Sequence, residues 1–525
     1  MTCKVLVTEA LAAEGLALLG RCAEVTVRPN PTREELLGLV GEYDALVVRS
    51  ATRVSAEVLA AGKRLRVVGR AGTGVDNIDL EAATRRGVMV VNAPGGNTIA
   101  VAEHTLALML NLARHVCRAD SSTHAGRWEK KDLMGSELRG KTLGLVGLGR
   151  VGAAVASRAH AFEMRLLAYD PFVSVERAAQ LDVRMATLDE VLAQADYVSL
   201  HVPATERTRG MIGARELALM KPGARLINCA RGDLVVEADL VEALTRGQLA
   251  GAALDVYPDE PRVSQALRDC TRALLTPHLG ASTEEAQTEA SVEVAEQVAD
   301  VLCGRAPRHP VNTVALSAEE QAFLQPYVDL AQRMGRLYAQ VAENNLSSLQ
   351  ITLAGEVVGH DSALLSAAAL AGVLSVASTE PVNLVNAPLL ARERGLAVQE
   401  VRTSEAQDWA GLVTLRATTT SGEHVLSGTV MRGRPHIVRI EDYWLDLIPE
   451  GLLLVSEHIE QPGVLGRMGT LLGDAGINIS FVQVGRRERG GVGLMVVGID
   501  DVLPDGVLRQ VLAMPSVRSA RLVRL

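Results

Sequence analysis

The sequence predicts an α/β protein, with a doubly wound parallel-sheet half, a mixed α+β segment and a terminal βαββαβ unit. Three observations carry that expectation. Short apolar runs alternate with Ala- and Glu-rich helical stretches over residues 1–310. A Gly147-x-Gly149-x-x-Gly152 turn sits between two of those runs. After about residue 317 the chain turns β-rich. Its 525 residues suit roughly three to four domains of ordinary size.

Composition limits the alternatives. With 48% hydrophobic and 22% charged residues the chain is globular, and with 3% aromatics its cores must be aliphatic. The net charge of -9 without a long basic run argues against a nucleic-acid or membrane-surface partner. Cysteines at 3, 22, 117, 229, 270 and 303 have neither zinc-ligand nor disulfide-framework spacing, so no metal is expected. The start, "MTCKVLVTEA", lacks a basic, then apolar, leader pattern, and "HTLALMLNLA" is too short to span a bilayer. A cytoplasmic protein with reduced thiols is the expectation.

In chain order the apolar runs are "DALVVRS", "LRVVGRAG", "GVMVVNAP", "KTLGLVGLG", "MRLLAYD", "DYVSLHVP", "ARLINCAR", "GAALDVY" and "ALLTPHLG". Continuously apolar strands with helical crossovers make parallel sheets covered on both faces, and ligands bind beyond their carboxyl ends. "RAPRHPVNTVAL", with two prolines and a basic cluster, reads as a linker at 305–316. "SLQITLAGEV", "LVTLRATTTS" and "HVLSGTVM" follow as strands in a segment over 316–447, where Arg432, Arg434 and Arg439 form either an anion site or a solvated face. From 452 to 525 the pattern is strand, helix, strand, strand, helix, strand, the ferredoxin-like order.

The cofactor motif is "GLVGLGRVG" followed by "MRLLAYD". Gly147, Gly149 and Gly152 allow a tight turn and close approach of backbone amides to a pyrophosphate at a helix start. Asp170 ends the next strand, suits the adenosine ribose hydroxyls and repels a 2′-phosphate, which favours NAD over NADP. Downstream, Arg231 in "NCARGD", Glu260 in "DVYPDEP" and His278 in "TPHLG" each follow an apolar run. A guanidinium clamps a carboxylate, a histidine takes a hydroxyl proton, and an acid beside it holds its tautomer and raises its pKa.

"GLVGLGRVG…YDP", "LINCARGDLVVEADL", "GAALDVYPDEP" and "PHLGAST" together resemble the D-isomer-specific 2-hydroxyacid dehydrogenases. "VVRSATRVSAEVL" and "VVGRAGTGVDNIDLEAATRRGVMVVNAPGGN" resemble the long members of that family, which act on 3-phosphoglycerate. The resemblance covers essentially the whole chain. It implies a Rossmann-type NAD-binding domain (97–282) inserted in a flavodoxin-like substrate-binding domain (1–96 and 283–312). An intervening allosteric substrate-binding domain and an ACT regulatory domain then follow. By the same resemblance His278 is the proton carrier, Glu260 its partner and Arg231 the substrate clamp. Cofactor contacts fall on Thr73, Arg150, Val151, Asp170, Cys229, Asp255 and the stretch His278, Leu279, Gly280, Ala281. The phosphate of the substrate falls to Arg49, Ser50 and Gly72, with Arg70 as a second candidate. Homodimers or homotetramers are also implied.

The chain departs from the family pattern in several places. Asp233 stands where a second glycine is usual, Val236 where an aspartate is usual, and Val101 where a small residue is common. In the terminal unit, Pro462 and Gly463 leave helix-start amides free for a small carboxylate. Glu460, where aspartate is usual, suits an ammonium, and Asn478 offers a donor and an acceptor. Feedback by L-serine is the corresponding expectation. Alternatives are reduction of 2-oxoglutarate, hydroxypyruvate or glyoxylate, or an idle NAD-binding sensor. The C-terminal 200 residues weigh against the first, and the Arg231, Glu260 and His278 set against the second.

Overall fold

The computed structural model describes residues 2–525 except 343–345, 379, 407 and 421. All nine apolar runs are strands. The first lobe is a parallel sheet of β1 (Cys3–Val7), β2 (Ala23–Val27), β3 (Ala45–Val48), β4 (Val67–Arg70) and β5 (Met89–Asn92), in the order β2-β1-β3-β4-β5. The 17-residue helix Thr98–Arg114 carries the chain into the second lobe, and the helix Glu284–Leu302 brings it back.

The second lobe holds β6 (Thr142–Val146), β7 (Arg165–Tyr169), β8 (Arg184–Met185), β9 (Tyr197–Leu200), β10 (Arg225–Asn228), β11 (Gly251–Leu254) and β12 (Ala273–Leu275). Their order is β12-β11-β10-β9-β6-β7-β8, all parallel. The order reverses at β6, beside β9, so the crevice for a ligand opens above that junction. Every residue of β6, β9 and β11 is buried, as helices on both faces require.

The third body is a mixed sheet of β13 (Leu346–Gly355), β14 (Ala397–Thr403), β15 (Gly411–Thr419), β16 (Gly422–Met431), β17 (Arg434–Ile440) and β18 (Tyr443–Leu447). Its order is β14-β13-β15-β16-β17-β18. The β-rich texture hides substantial helix here: Ala318–Val341 spans 24 residues, and Ala363–Ser375 is buried along most of its length. "ALLSAAALAGVLS" is apolar all round, so it shows no helical period in the sequence. The two helices cross almost backbone to backbone. A Cβ on Gly335 would meet the Ala369 carbonyl at 2.3 Å, and one on Gly372 the Gln332 carbonyl at 2.1 Å.

The last body is β19 (Leu452–Ile459), β20 (Ile479–Arg486), β21 (Val492–Ile499) and β22 (Val517–Arg524), in the antiparallel order β20-β21-β19-β22. Two helices, Val464–Asp474 and Asp505–Leu512, complete the βαββαβ order. Alternation along β19 decides what packs where. Leu454 joins Met468 and Val511 under the unit's own helices, whereas Leu453 and Val455 join Met334 and Leu337 in the core of the third body. The terminal unit is thereby seated on the intervening body. That body touches the first lobe through Asn383 Nδ2, which donates to the Gly87 carbonyl (2.7 Å), and through the Arg85–Glu393 ion pair (3.0 Å).

Candidate active site

The carboxyl ends of β3 and β4 in the first lobe face those of β10, β11 and β12 in the second, and the expected site residues lie between them. His278 follows β12 and takes a left-handed backbone conformation (φ 55). A non-glycine residue there is strained and persists where its surroundings enforce it. Its Nδ1 lies 2.7 Å from Glu260 Oε2. With Glu260 ionised, Nδ1–H is the donor, and Nε2 is left as the free proton acceptor. The hydrogen bond that His278 donates to Glu260 raises the His278 pKa above the ordinary histidine value, against the opposing effect of burial. Burial pushes the Glu260 carboxyl up, but the bonds from His278 and from Tyr257 N (3.0 Å) hold it below the usual carboxylate range.

Arg231 follows β10 and reaches across the cleft. Its Nε donates to Asp76 Oδ2 of the first lobe at 3.1 Å, and its NH1 to the Ala230 carbonyl at 2.7 Å. Its charge acts on both His278 and Arg70. Burial, then the neighbouring Arg231, pushes the Arg70 guanidinium down to about 10. Arg70 Nε donates to Asn77 Oδ1 (2.9 Å), and Asn77 in turn donates to the Arg49 and Thr52 carbonyls (2.7 and 2.6 Å). Arg49, Arg70 and Arg231 thus converge on one cleft.

The loop that bears Ser50 is less free than the sequence suggests. Glu9 accepts the amides of Arg49, Ala51 and Thr52 at 2.8, 3.1 and 2.9 Å, so those amides are already committed. Gly72 brings its backbone beside Arg70 NH1. Thr73 Oγ1 donates to Asn97 Oδ1 at 2.8 Å, bridging the strand end to the crossing helix.

The glycine turn fits a dinucleotide pyrophosphate. Gly149 is the N-cap of the helix Arg150–Ala161 with no side chain capping it, so the amides of the first turn, from Arg150, Val151 and Gly152, point outward. Gly147 (φ 99) and Gly152 pack too closely for any side chain: a Cβ on Gly152 would lie 2.2 Å from the Gly147 carbonyl. Asp170 accepts the Leu148 and Phe172 amides (both 2.9 Å), which ties the end of β7 to the glycine turn. Burial pushes the Cys229 thiol up to about 12, so it sits under the site as a neutral group.

Asp255, just after β11, is fully buried and organises the loop that carries His278. Its oxygens lie 3.2 Å from His104 Nε2 and accept from Thr276 Oγ1 (2.6 Å) and from the amides of Leu279 and Gly280 (both 2.8 Å). Ala281 follows directly, and Val101 packs against Gly280. Sequence reasoning missed His104, Thr276, Asp76 and Glu9. His104 had a findable signal, as the histidine within the polar triplet Glu103, His104 and Thr105 that interrupts the apolar helix segment "AVAEHTLALML".

The C-terminal candidates do not assemble within one chain. Glu460 follows the last residue of β19, whereas Asn478 precedes β20; in the register of the sheet, Ile459 pairs with Val492 and Ile479 with Ile499. The two lie at opposite ends of the sheet. Glu460 is also engaged by Arg486 and by Gly490 N (2.7 Å), and Asn478 donates to Asp500 Oδ2 (2.6 Å). Arg432 and Arg434 sit at the hairpin between β16 and β17, while Arg439 lies toward the far end of β17 against Asp442 and the Trp444 ring. They do not form one anion cradle.

The departures from the family pattern are absorbed locally. Asp233 pairs with Arg209. Val236 is the N-cap of the helix Glu237–Thr245 without a capping side chain, so the bond that an aspartate would make there is absent.

The lobes and their cleft define an NAD-dependent dehydrogenase of D-2-hydroxy acids. Residues 106–280 match the D-isomer specific 2-hydroxyacid dehydrogenase NAD binding domain, 323–441 the D-3-phosphoglycerate dehydrogenase intervening domain, and 453–513 the ACT domain. The D-3-phosphoglycerate dehydrogenase of Synechocystis sp. is 43% identical, covering 99% of this chain and 95% of that protein; that of Methanocaldococcus jannaschii is 40% identical over 99% and 100%. The chain belongs to the D-3-phosphoglycerate dehydrogenase family. Among solved structures, the D-lactate dehydrogenase of Aquifex aeolicus complexed with NAD and lactic acid covers 57% of this chain and 96% of its own, at 28% identity and a TM-score of 0.52. Among the described residues no helix is long and apolar enough to cross a membrane.

Proposed function

We propose that the chain oxidises the C2 hydroxyl of 3-phospho-D-glycerate to 3-phosphooxypyruvate, the first step of phosphorylated L-serine synthesis. The observation that carries this reading is the His278–Glu260 pair beside three arginines contributed by both lobes. A substrate with a carboxylate and a phosphate needs more positive charge than a simple 2-hydroxy acid. Arg231 clamps the carboxylate, and Arg70 and Arg49 face the phosphate. His278 Nε2 takes the hydroxyl proton, and Glu260 stabilises the imidazolium formed. NAD, held by the turn at Gly147, Gly149 and Gly152 and by Asp170, supplies the hydride acceptor. Appearance of NADH on adding 3-phospho-D-glycerate tests the proposal; silence with that substrate and turnover of 2-oxoglutarate, hydroxypyruvate or glyoxylate with NADH would favour the simpler reductase.

Oxidation requires neutral His278, and the Glu260 bond raises its pKa. The rate of oxidation therefore climbs with pH through that raised value. Glu260→Gln removes the stabilising charge, lowers the His278 pKa and moves the rising limb of the pH–rate profile to lower pH. A limb that stays in place would remove Glu260 from this role.

Asp170→Ala is expected to narrow the preference for NAD over NADP, by removing both a ribose acceptor and the charge that repels a 2′-phosphate. The ratio of kcat/KM for the two cofactors measures this. A parent enzyme that already uses NADP equally well would contradict the assignment.

Serine feedback, if carried by Glu460 and Asn478, requires two copies, because one copy holds them at opposite ends of its sheet. The reading therefore includes a homodimer or homotetramer in the cytoplasm. L-serine should inhibit the parent and not Asn478→Ala, with uninhibited turnover similar in both; equal inhibition of both would place the effector elsewhere.

A further inference from the structure

The guanidinium assigned to the substrate's carboxylate is in contact with a carboxylate of the protein itself. Arg231 Nε donates to Asp76 Oδ2 at 3.1 Å, and NH1 donates to the Ala230 carbonyl at 2.7 Å. The third nitrogen lies against the loop after β4, where a Cβ on Gly74 would fall 1.9 Å from Arg231 NH2 and 2.7 Å from Asp76 Oδ2. Only a residue without a side chain leaves room for the guanidinium there. A guanidinium grips a carboxylate best through two parallel N–H bonds, and Nε with NH2 is one of the edges that offer such a pair. Asp76 holds the Nε half of that edge.

The residues that follow Asp76 are committed within their own lobe. Asn77 accepts from Arg70 Nε and donates to the Arg49 and Thr52 carbonyls. Ile78 is buried and bridges to Val54, and Asp79 caps the helix Leu80–Arg85 through the Ala82 amide. The Asp76 side chain is 68% exposed and reaches across the cleft to Arg231. Consecutive residues of one loop thus hold Arg231 and Arg70.

We propose that Asp76 is a positioning residue that sets the threshold for substrate entry: its carboxylate stands in for the substrate's at the Nε side of Arg231, and the substrate binds there by displacing it. The inference rests on Arg231 being the clamp of the proposed function. Displacement exchanges one carboxylate for another at the same guanidinium, so that contact alone yields little net affinity. An ion pair as exposed as this one is also weak enough to give way. A ligand that brings a phosphate to Arg49 and Arg70 as well gains what the exchange does not supply. An acid with a carboxylate alone has no such gain, so Asp76 makes the phosphate the group that carries affinity.

The test is titration calorimetry on the full-length chain with NAD present, comparing the parent with Asp76→Asn. Oxalate serves as the carboxylate probe and inorganic phosphate as an anion without a carboxylate. Asp76→Asn should bind oxalate about two- to fivefold more tightly, the scale of an exposed ion pair, with phosphate affinity unchanged. NADH formation from 3-phospho-D-glycerate should then show a lower KM at a kcat close to the parent's. Weaker oxalate binding in the variant would make Asp76 a buttress that orients the clamp, and would overturn the inference. Equal tightening of oxalate and phosphate would reduce its role to the general field of the cleft, and overturn it too. So would unchanged oxalate affinity, oxalate binding to neither protein, or a fall in kcat without a fall in KM. A parent that forms no NADH from 3-phospho-D-glycerate, with the oxalate result as expected, would overturn the proposed substrate and not the role of Asp76.

Discussion

His278→Ala should lower kcat for oxidation by about a hundred- to ten-thousand-fold, the usual contribution of a positioned acid–base group, while NAD affinity stays close to that of the parent. The reasoning is geometric. The imidazole is held from behind by Glu260 at 2.7 Å and presents its other nitrogen to the cleft that Arg231 enters. The glycine turn and Asp170 lie on other strand ends and do not touch the imidazole. Stopped-flow titration with NAD, alongside steady-state rates, separates binding from proton transfer. A variant within threefold of the parent rate would mean that another group carries the proton.

The second large effect is expected at a residue that need not touch the reacting atoms. Asp255→Ala should destabilise the fold by roughly 3–5 kcal/mol, the range for breaking a buried charged network, and should also lower kcat. The carboxylate is fully buried and joins four groups: His104 on the crossing helix, Thr276 before the catalytic loop, and the Leu279 and Gly280 amides within it. Removing it strands the buried Gly280 amide and the part-buried Leu279 amide, and frees the loop that holds His278 in its left-handed conformation. Burial pushes this carboxyl up, yet the bonds from His104, Thr276, Leu279 and Gly280 hold it below the usual range, so it is ionised where the enzyme works. Asp255→Asn keeps one acceptor oxygen but turns a donor toward one of the two amides, and should fall between parent and Ala. Denaturant unfolding measures the loss. A change below about 1 kcal/mol would show that the network carries little.

What the sequence reveals follows from what each element buries. Strands covered on both faces must be apolar throughout, so runs such as "KTLGLVGLG" and "ARLINCAR" stand out and point directly to the polar residues beyond their ends. Arg231, Glu260 and His278 were legible for that reason. The helix Ala363–Ser375 was not, since a segment buried on all sides has no polar face to mark its period. Asp76 was not legible either. Its pairing with Arg231 joins residues from two lobes, and no local pattern encodes a contact made only when the lobes face each other. Glu460 and Asn478 show the converse: both are suited to an amino acid by type, but the register of the sheet sets them apart.

The central claim is that the cleft selects a phosphorylated 2-hydroxy acid through Arg49 and Arg70, in addition to the clamp at Arg231. Initial rates of NADH formation with 3-phospho-D-glycerate and with D-glycerate test this most directly, because the two differ only in the phosphate. Bonds to charged groups contribute about 1.5–3 kcal/mol each, so kcat/KM should favour the phosphorylated substrate by at least roughly tenfold, and Arg70→Gln should erode that preference. Equal kcat/KM for the two substrates would contradict the account.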